Sequence, residues 1–499
     1  MTRTAPDRAQ QSTYAPGGTT LTDWRPEDPD FWAAGADRVA RRNLIWSIFA
    51  EHLGFSVWLM WSVSSAYLLS MGFDFTAQEL FLIVAAPNFV GSLLRLPYTF
   101  AVPKFGGRTW TTISALLLLV PTLLFAVFVQ RPGTPLWVFV VIAATAGFGG
   151  GNFASSMANI NFFYPAARKG AALGLNAAGG NLGVALIQFF LPVLVGGAGI
   201  FGMVQASDGG IHLQRAAWVY VVLSVVAAAG AWFGMNNLTV ASASARESFQ
   251  VLKHKHTWVM SFLYLGTFGS FIGFSAAMPL LIKVNFWVPG GGPAGTGIVF
   301  AHYAFLGALV GSVARPFGGW LADKYGGARV TAWSFVGMGV GALGVLVVLG
   351  RLTDNPGQEI AIADGNQAWF APFLFAFLVI FAASGIGNGS TYRMIPTIWA
   401  RNAKRTGAEG SPVRAEAMAQ ATRNASAVIG IAGAIGAMGG FLIPMSFGAP
   451  WIDDPSAAVR GAMTTFLGFY VVCLVVTWFV YTRRSFLITR VPSLAEARV

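Results

Sequence analysis

Twelve stretches of mostly apolar residues run along this 499-residue chain. Each is about 20 residues or longer, enough for a helix to cross a hydrocarbon core of about 30 Å. Their approximate limits are 44–70, 79–102, 109–130, 136–160, 170–199, 215–235, 257–283, 298–322, 329–350, 369–398, 418–446 and 461–482. The reading is an all-α membrane protein.

Composition and charge placement agree. Charged residues make up 10% of the chain, against about 25% for a soluble domain. A net charge of +12 would suit nucleic acid, but the basic residues occupy short connections between apolar runs. With both termini cytoplasmic, the tails and even-to-odd connections, with Arg423 at the start of span 11, hold 24 Lys and Arg and the opposite connections hold five. That asymmetry excludes nucleic acid and sets the expected orientation. Residues 1–43 read as a cytoplasmic tail with no cleavable signal. Residues 44–236 and 257–482 read as two six-helix bundles, 237–256 as a cytoplasmic linker and 483–499 as a second tail. The segment from Trp24 to Trp32 is aromatic enough to pack on the cytoplasmic face. A single cysteine, Cys473, excludes a disulfide framework and any multi-cysteine metal site, and reads as a packed thiol.

The two halves repeat each other. Gly91-Ser92-Leu93-Leu94-Arg95 matches Gly311-Ser312-Val313-Ala314-Arg315, and each arginine precedes a lysine (Lys104, Lys324) and a glycine pair. Gly147-x-Gly149-Gly150-Gly151 in span 4 answers Gly385-x-Gly387-x-Gly389 in span 10. Asn176-Ala177 answers Asn424-Ala425, and Trp61-Ser62 answers Phe274-Ser275. The offset between copies grows in chain order from 213 through 220 and 238 to 248, as in a duplication whose second copy has longer loops. Six plus six spans in parallel repeat is the layout of major facilitator transporters, whose substrate site lies between the halves.

Arg95 and Arg315 carry the chemistry. A guanidinium at the centre of a span costs about 2.5–3.5 kcal/mol on insertion scales and normally faces a partner or a wet cavity. Snorkelling to headgroups or bonding backbone carbonyls is the plain alternative. The Gly-Ser steps before both arginines favour an interior face. Two guanidiniums in one cavity repel when empty, and planar N–H forks suit planar oxyanions. Glu51 is the clear intramembrane carboxylate. Beside His52 it reads as a structural ion pair to a nearby helix or loop, with a proton relay through Glu51, His52 or His302 left open. Arg393 reads as an interfacial or gating contact. The glycines are expected to bring helix backbones together and let them slide. The five histidines form no i,i+3 or i,i+4 pair within a span, so no metal, haem or enzymatic chemistry is expected.

The run Gly147 to Pro165, the run Gly385-Ile386-Gly387-Asn388-Gly389-Ser390-Thr391-Tyr392-Arg393-Met394-Ile395-Pro396, and span 7 from Tyr264 to Ser275 resemble the signatures of the nitrate/nitrite porter family. That family is a branch of the major facilitator superfamily, and the resemblance covers nearly all of residues 24–485. It implies a twelve-helix carrier of nitrate and nitrite in the bacterial cytoplasmic membrane, in contact with lipid, working as a monomer and without a cofactor. The family's two substrate arginines match Arg95 and Arg315, its aromatic clamp Phe153 and Phe268, and its hydrogen-bonding tyrosine Tyr264. Its asparagine of the fifth helix matches Asn181, with Asn176 as a second candidate. The superfamily's loop motif is intact from Gly319 to Gly326. Its first-half copy has Pro103 in place of an aspartate.

The expected mechanism is alternating access with nitrate entering and nitrite leaving, since an empty site of two unneutralised arginines disfavours occlusion. Three alternatives stay open. A proton-coupled nitrate symporter would use Glu51, His52 or His302. A phosphate or organophosphate antiporter would need further basic residues in the cavity, for which His302 is the candidate. A non-transporting anion sensor would bind without flux.

Overall fold

A computed structural model describes residues 18–196, 210–239, 250–288, 296–352 and 366–483. Most of the C-terminal tail, the first 17 residues and positions 240–249 of the linker lie outside the described residues. The helices follow the apolar runs: α1 Asp37–Leu68, α2 Ala77–Thr99, α3 Gly107–Phe128, α4 Leu136–Phe163, α5 Ala166–Leu194 and α6 Leu213–Gly234. The second half continues with α7 Lys255–Phe286, α8 Ala304–Tyr325, α9 Gly327–Leu349, α10 Phe370–Lys404, α11 Pro412–Phe447 and α12 Pro455–Thr477. Among the described residues, 11 helices are long and apolar enough to cross a membrane. The remaining long helix is α8, whose span carries Arg315.

Local sequence sets the ends. Thr76 and Glu79 form a capping box at the start of α2, satisfying two N-terminal amides. Ser411 caps α11 and Asp454 caps α12. α1 begins at Asp37, ahead of the apolar run, because the polar segment before it is structured. Trp24, Phe31 and Leu21 pack on Val102, Phe163 and Leu238, and the Trp24 indole N–H donates to the Phe162 carbonyl at 3.2 Å. Strand β1 (Thr20–Leu21) pairs in parallel with β2 (Asn237–Leu238). The aromatic tail thus closes over the ends of α4 and α6.

The repeat-related glycines of α4 and α10 make the bundles tight, but within each half. A Cβ on Gly149 would strike the Gly54 carbonyl of α1, and one on Gly147 would lie 2.6 Å from the Gly91 amide nitrogen of α2. Gly150 sits against Trp58 and Gly151 against Tyr98. In the second half Gly385 meets the Gly311 carbonyl, Gly389 the Arg315 carbonyl, and Gly387 lies against Thr267 and Ser334. None of the contacts of these seven glycines crosses between the halves, so the close backbone approach they permit lies within each bundle and not at the seam between bundles.

The halves meet where α5 lies along α8, α2 along α11 and α1 along α7. Two of these helices are irregular at mid-length. α7 contains a π-helical turn at Leu265–Gly269, a wide turn that often marks function. α11 is interrupted at Met438. The irregularities nest: a Cβ on Gly436 would lie 2.7 Å from the Tyr264 ring, and Gly439 lies directly on Gly269.

Candidate anion site between the bundles

Both arginines point inward. Arg95 is 0% and Arg315 5% exposed. Arg95 comes from α2, and its Nε donates to the Gly150 carbonyl of α4 at 3.0 Å. Its Nη1 crosses to the Gly433 carbonyl of α11, also at 3.0 Å. Arg315 comes from α8, and its Nη2 donates to the Tyr264 hydroxyl at 3.4 Å. Arg95 Nη2 and Arg315 Nη1 are buried with no hydrogen-bond partner among the described residues.

One ring joins them. The Phe153 centroid is 4.8 Å from Arg95 Cζ and 5.6 Å from Arg315 Cζ. Phe268, from the π turn of α7, lies 4.9 Å from Arg95 Cζ and stacks on Phe153 at 6.3 Å and 21°. Tyr264 stacks on Phe268 in turn, at 5.3 Å and 18°. Such cation–ring contacts contribute about 0.5–2 kcal/mol each, which helps hold two like charges in one low-dielectric space.

The sequence reading overlooked Phe55, Trp58 and Tyr392. Phe55 and Trp58 lie 5.9 and 5.4 Å from Arg95 Cζ, and Tyr392 lies 5.5 Å from Arg315 Cζ. Phe55 carried a usable signal, because at the offset of 213 it is the counterpart of Phe268. Tyr392 stands inside the span 10 signature. Asn388, one turn earlier, is buried with both amide atoms unpartnered among the described residues.

Other expectations resolve differently. Asn181 is fully buried with its amide unpartnered among the described residues, on the stretch of α5 whose Gly180 and Gly183 abut Glu51 and Ser56. Asn176 is engaged elsewhere: its Nδ2 donates to Glu51 Oε2 at 2.6 Å. Glu51 forms no ion pair within 4.0 Å among the described residues. It accepts from Ser156 and Asn176 instead, because α4 and α5 meet α1 there with neutral polar side chains. His52 turns away to the Gly179 carbonyl at 3.1 Å. His302 is not in α8. It sits in a 3-10 turn, Phe300–His302, 13 residues before Arg315 in sequence and thus roughly 20 Å along the chain. Arg393 makes a salt bridge with Asp323 of the loop motif at 2.5 Å.

A cavity of about 90 Å³ runs from Arg95 and Phe153 past Tyr392 to Gln420 and Arg423, toward the face bearing the N-terminal tail. On the other side of the site the halves are tied together. Gln188 of α5 donates to the Ser275 carbonyl of α7 at 2.6 Å, and Lys283 of α7 donates to the Ala66 carbonyl of α1. No group of three or more His, Cys, Asp or Glu side chains able to hold a metal occurs among the described residues.

The Major Facilitator Superfamily profile matches residues 46–408. The nitrate/nitrite transporter NarU of Escherichia coli (strain K12) is 40% identical over 93% of this chain and 97% of its own length. This chain belongs to the nitrate/nitrite porter family. A probable nitrate/nitrite antiporter, NarK2 of Thermus thermophilus, is 35% identical over 94% of this chain and 98% of its own. Among solved structures, a D-xylose-proton symporter superposes with a TM-score of 0.58 at 14% identity, covering 87% of this chain and 96% of the other. At that identity the likeness shows the major facilitator fold alone. Members of this family are transporters, and their resemblance to this porter spans both bundles.

Proposed function

We propose that this porter carries nitrate and nitrite across a bacterial cytoplasmic membrane by rocking its two bundles about one anion site. One observation supports this most: Arg95 and Arg315, from different bundles, flank the same Phe153 ring, each buried with an N–H group left unpartnered among the described residues. A small planar monoanion takes in-plane hydrogen bonds from both forks. Stacked Phe153 and Phe268 favour flat solutes and keep water out, acting through shape and ring edges because ring faces repel anions. With basic loops and both termini cytoplasmic, the cavity opens inward and the Gln188 and Lys283 contacts close the outer side.

A bound monoanion offsets the guanidinium repulsion that opposes closure, so loaded bundles exchange faces more readily than empty ones. That favours nitrate-for-nitrite exchange. Phosphate and organophosphates carry more charge, and His302, the candidate for the extra cation they need, lies in the turn before α8. Purified porter in liposomes loaded with nitrite tests the reading. Labelled nitrate enters in proportion to internal nitrite; nitrate binding without flux would instead favour a sensor.

A further inference from the structure

Asn388 of α10 is fully buried, and neither polar atom of its amide has a partner among the described residues. Most buried side-chain polar atoms are hydrogen-bonded, so an orphan of this kind needs an explanation. Its place on the helix supplies one. Gly389, the next residue, lies on the Arg315 carbonyl, and Gly387, the one before, lies on Thr267 beside the clamp ring Phe268. Asn388 therefore sits at the depth of Arg315, on the turn of α10 that meets both α7 and α8. It shares a helix face with Tyr392, four residues on, and with Phe381, seven residues back. The Tyr392 ring is 5.5 Å from Arg315 Cζ, and its hydroxyl also has no partner among the described residues. Phe381 meets Phe271 at 6.4 Å, and Phe271 stacks on Phe268 at 6.4 Å. Both ends of this face border the walls of the anion site. The first bundle carries no side-chain donor at the matching positions. At the repeat offset of 238, Asn388 answers Gly150 and Tyr392 answers Ala154, and Gly150 offers Arg95 its backbone carbonyl.

We propose that Asn388 and Tyr392 form a neutral donor subsite for the third oxygen of nitrate, and that this subsite makes the porter bind nitrate in preference to nitrite. The proposal rests on the reading of the arginine pair as an anion site. Nitrate and nitrite carry the same charge and are both flat, so guanidinium charge and phenyl walls treat them alike. They differ in what lies in the plane: nitrate has three oxygens, nitrite two oxygens and a nitrogen lone pair. Two oxygens engage Arg95 Nη2 and Arg315 Nη1, the N–H groups left unpartnered among the described residues. The Asn388 amide N–H and the Tyr392 O–H are both donors, and they take the third. Nitrite on the same arginines leaves that pair buried and unsatisfied. A site built to bond a given group discriminates against the analogue that lacks it, because its own buried polar atoms then stay unpaired. The two donors stand on one bundle, so bound nitrate is oriented with its third oxygen toward α10.

Calorimetric titration of the purified full-length porter, with nitrate and separately with nitrite, tests this. Wild type binds nitrate about tenfold more tightly than nitrite, or better, as expected for lost hydrogen bonds to buried donors. Asn388→Leu keeps the branching and heavy-atom count of the side chain without its polar atoms. It lowers nitrate affinity by about tenfold and nitrite affinity by less than about twofold, so the preference collapses. Tyr392→Phe removes only a hydroxyl and moves the nitrate-to-nitrite ratio the same way, by about threefold or more. Equal losses for the two anions in both variants, the mark of a helix-packing role, overturn the proposal, as does a wild type that does not discriminate. If thermal melts show that Asn388→Leu does not fold, Tyr392→Phe decides alone, and an unmoved ratio overturns it. Wild type that binds neither anion contradicts the arginine site itself, whereas binding of both with an unmoved ratio removes only the subsite.

Discussion

Arg95 of the first bundle donates to the Gly433 carbonyl of the second at 3.0 Å. The same guanidinium holds Gly150 through Nε and leaves Nη2 without a partner among the described residues. A lysine concentrates its donors on one nitrogen and cannot span these three directions. Arg95→Lys should therefore lower nitrate-for-nitrite exchange at least tenfold, a loss of about 1.4 kcal/mol or more in transition-state terms. Flux in proteoliposomes at matched protein content reads this.

Phe153 touches both guanidiniums and stacks on Phe268. Phe153→Leu keeps most of the volume, so thermal stability should fall by less than about 1.5 kcal/mol. Removing the ring forfeits two contacts of about 0.5–2 kcal/mol each and loosens the arginine geometry. The KM for nitrate exchange should rise several-fold, measured beside the unfolding midpoint.

Gly389 and Gly319 form a matched pair. A Cβ at Gly389 would drive into the Arg315 carbonyl, whereas one at Gly319 meets nothing within 4 Å. Gly389→Ala should cost about 1–3 kcal/mol, as overpacking does, and reduce exchange by displacing Arg315. Gly319→Ala should leave both unchanged. Thermal melts and flux on the two variants decide it.

Gln188 ties α5 to α7 on the far side of the site. Gln188→Leu strands the Ser275 carbonyl, a loss of about 1–3 kcal/mol in the closed arrangement. Outer-side labelling of a cysteine introduced at Ser62 should become about tenfold faster.

Much of the fold was legible because membrane helices depend on long apolar runs, and glycine spacing reports close helix approach. The inward placement of Arg95 and Arg315 followed from their repeat-related Gly-Ser neighbours. What periodicity could not carry was partner choice at fixed depth. Asn176 and Asn181 are five residues apart on α5, yet only Asn176 is engaged by Glu51, and that depends on how α1, α4 and α5 rotate against each other. His302 was placed inside span 8 because the apolar run continues through it. The Ala304 start of α8 follows from the 3-10 turn that packs Phe300 on Tyr67. The directions in which the repeat-related glycines of α4 and α10 pack, within bundles and not between them, needed coordinates.

The central claim is that one anion is held by two arginines from opposite halves. Calorimetric titration of purified porter with nitrate tests it most directly, using wild type, Arg95→Gln and Arg315→Gln. The account predicts one nitrate per wild-type chain and loss of binding, at least a hundredfold, in each single variant with the fold intact. Two nitrates per chain, or near-normal affinity after removal of either guanidinium, would contradict it.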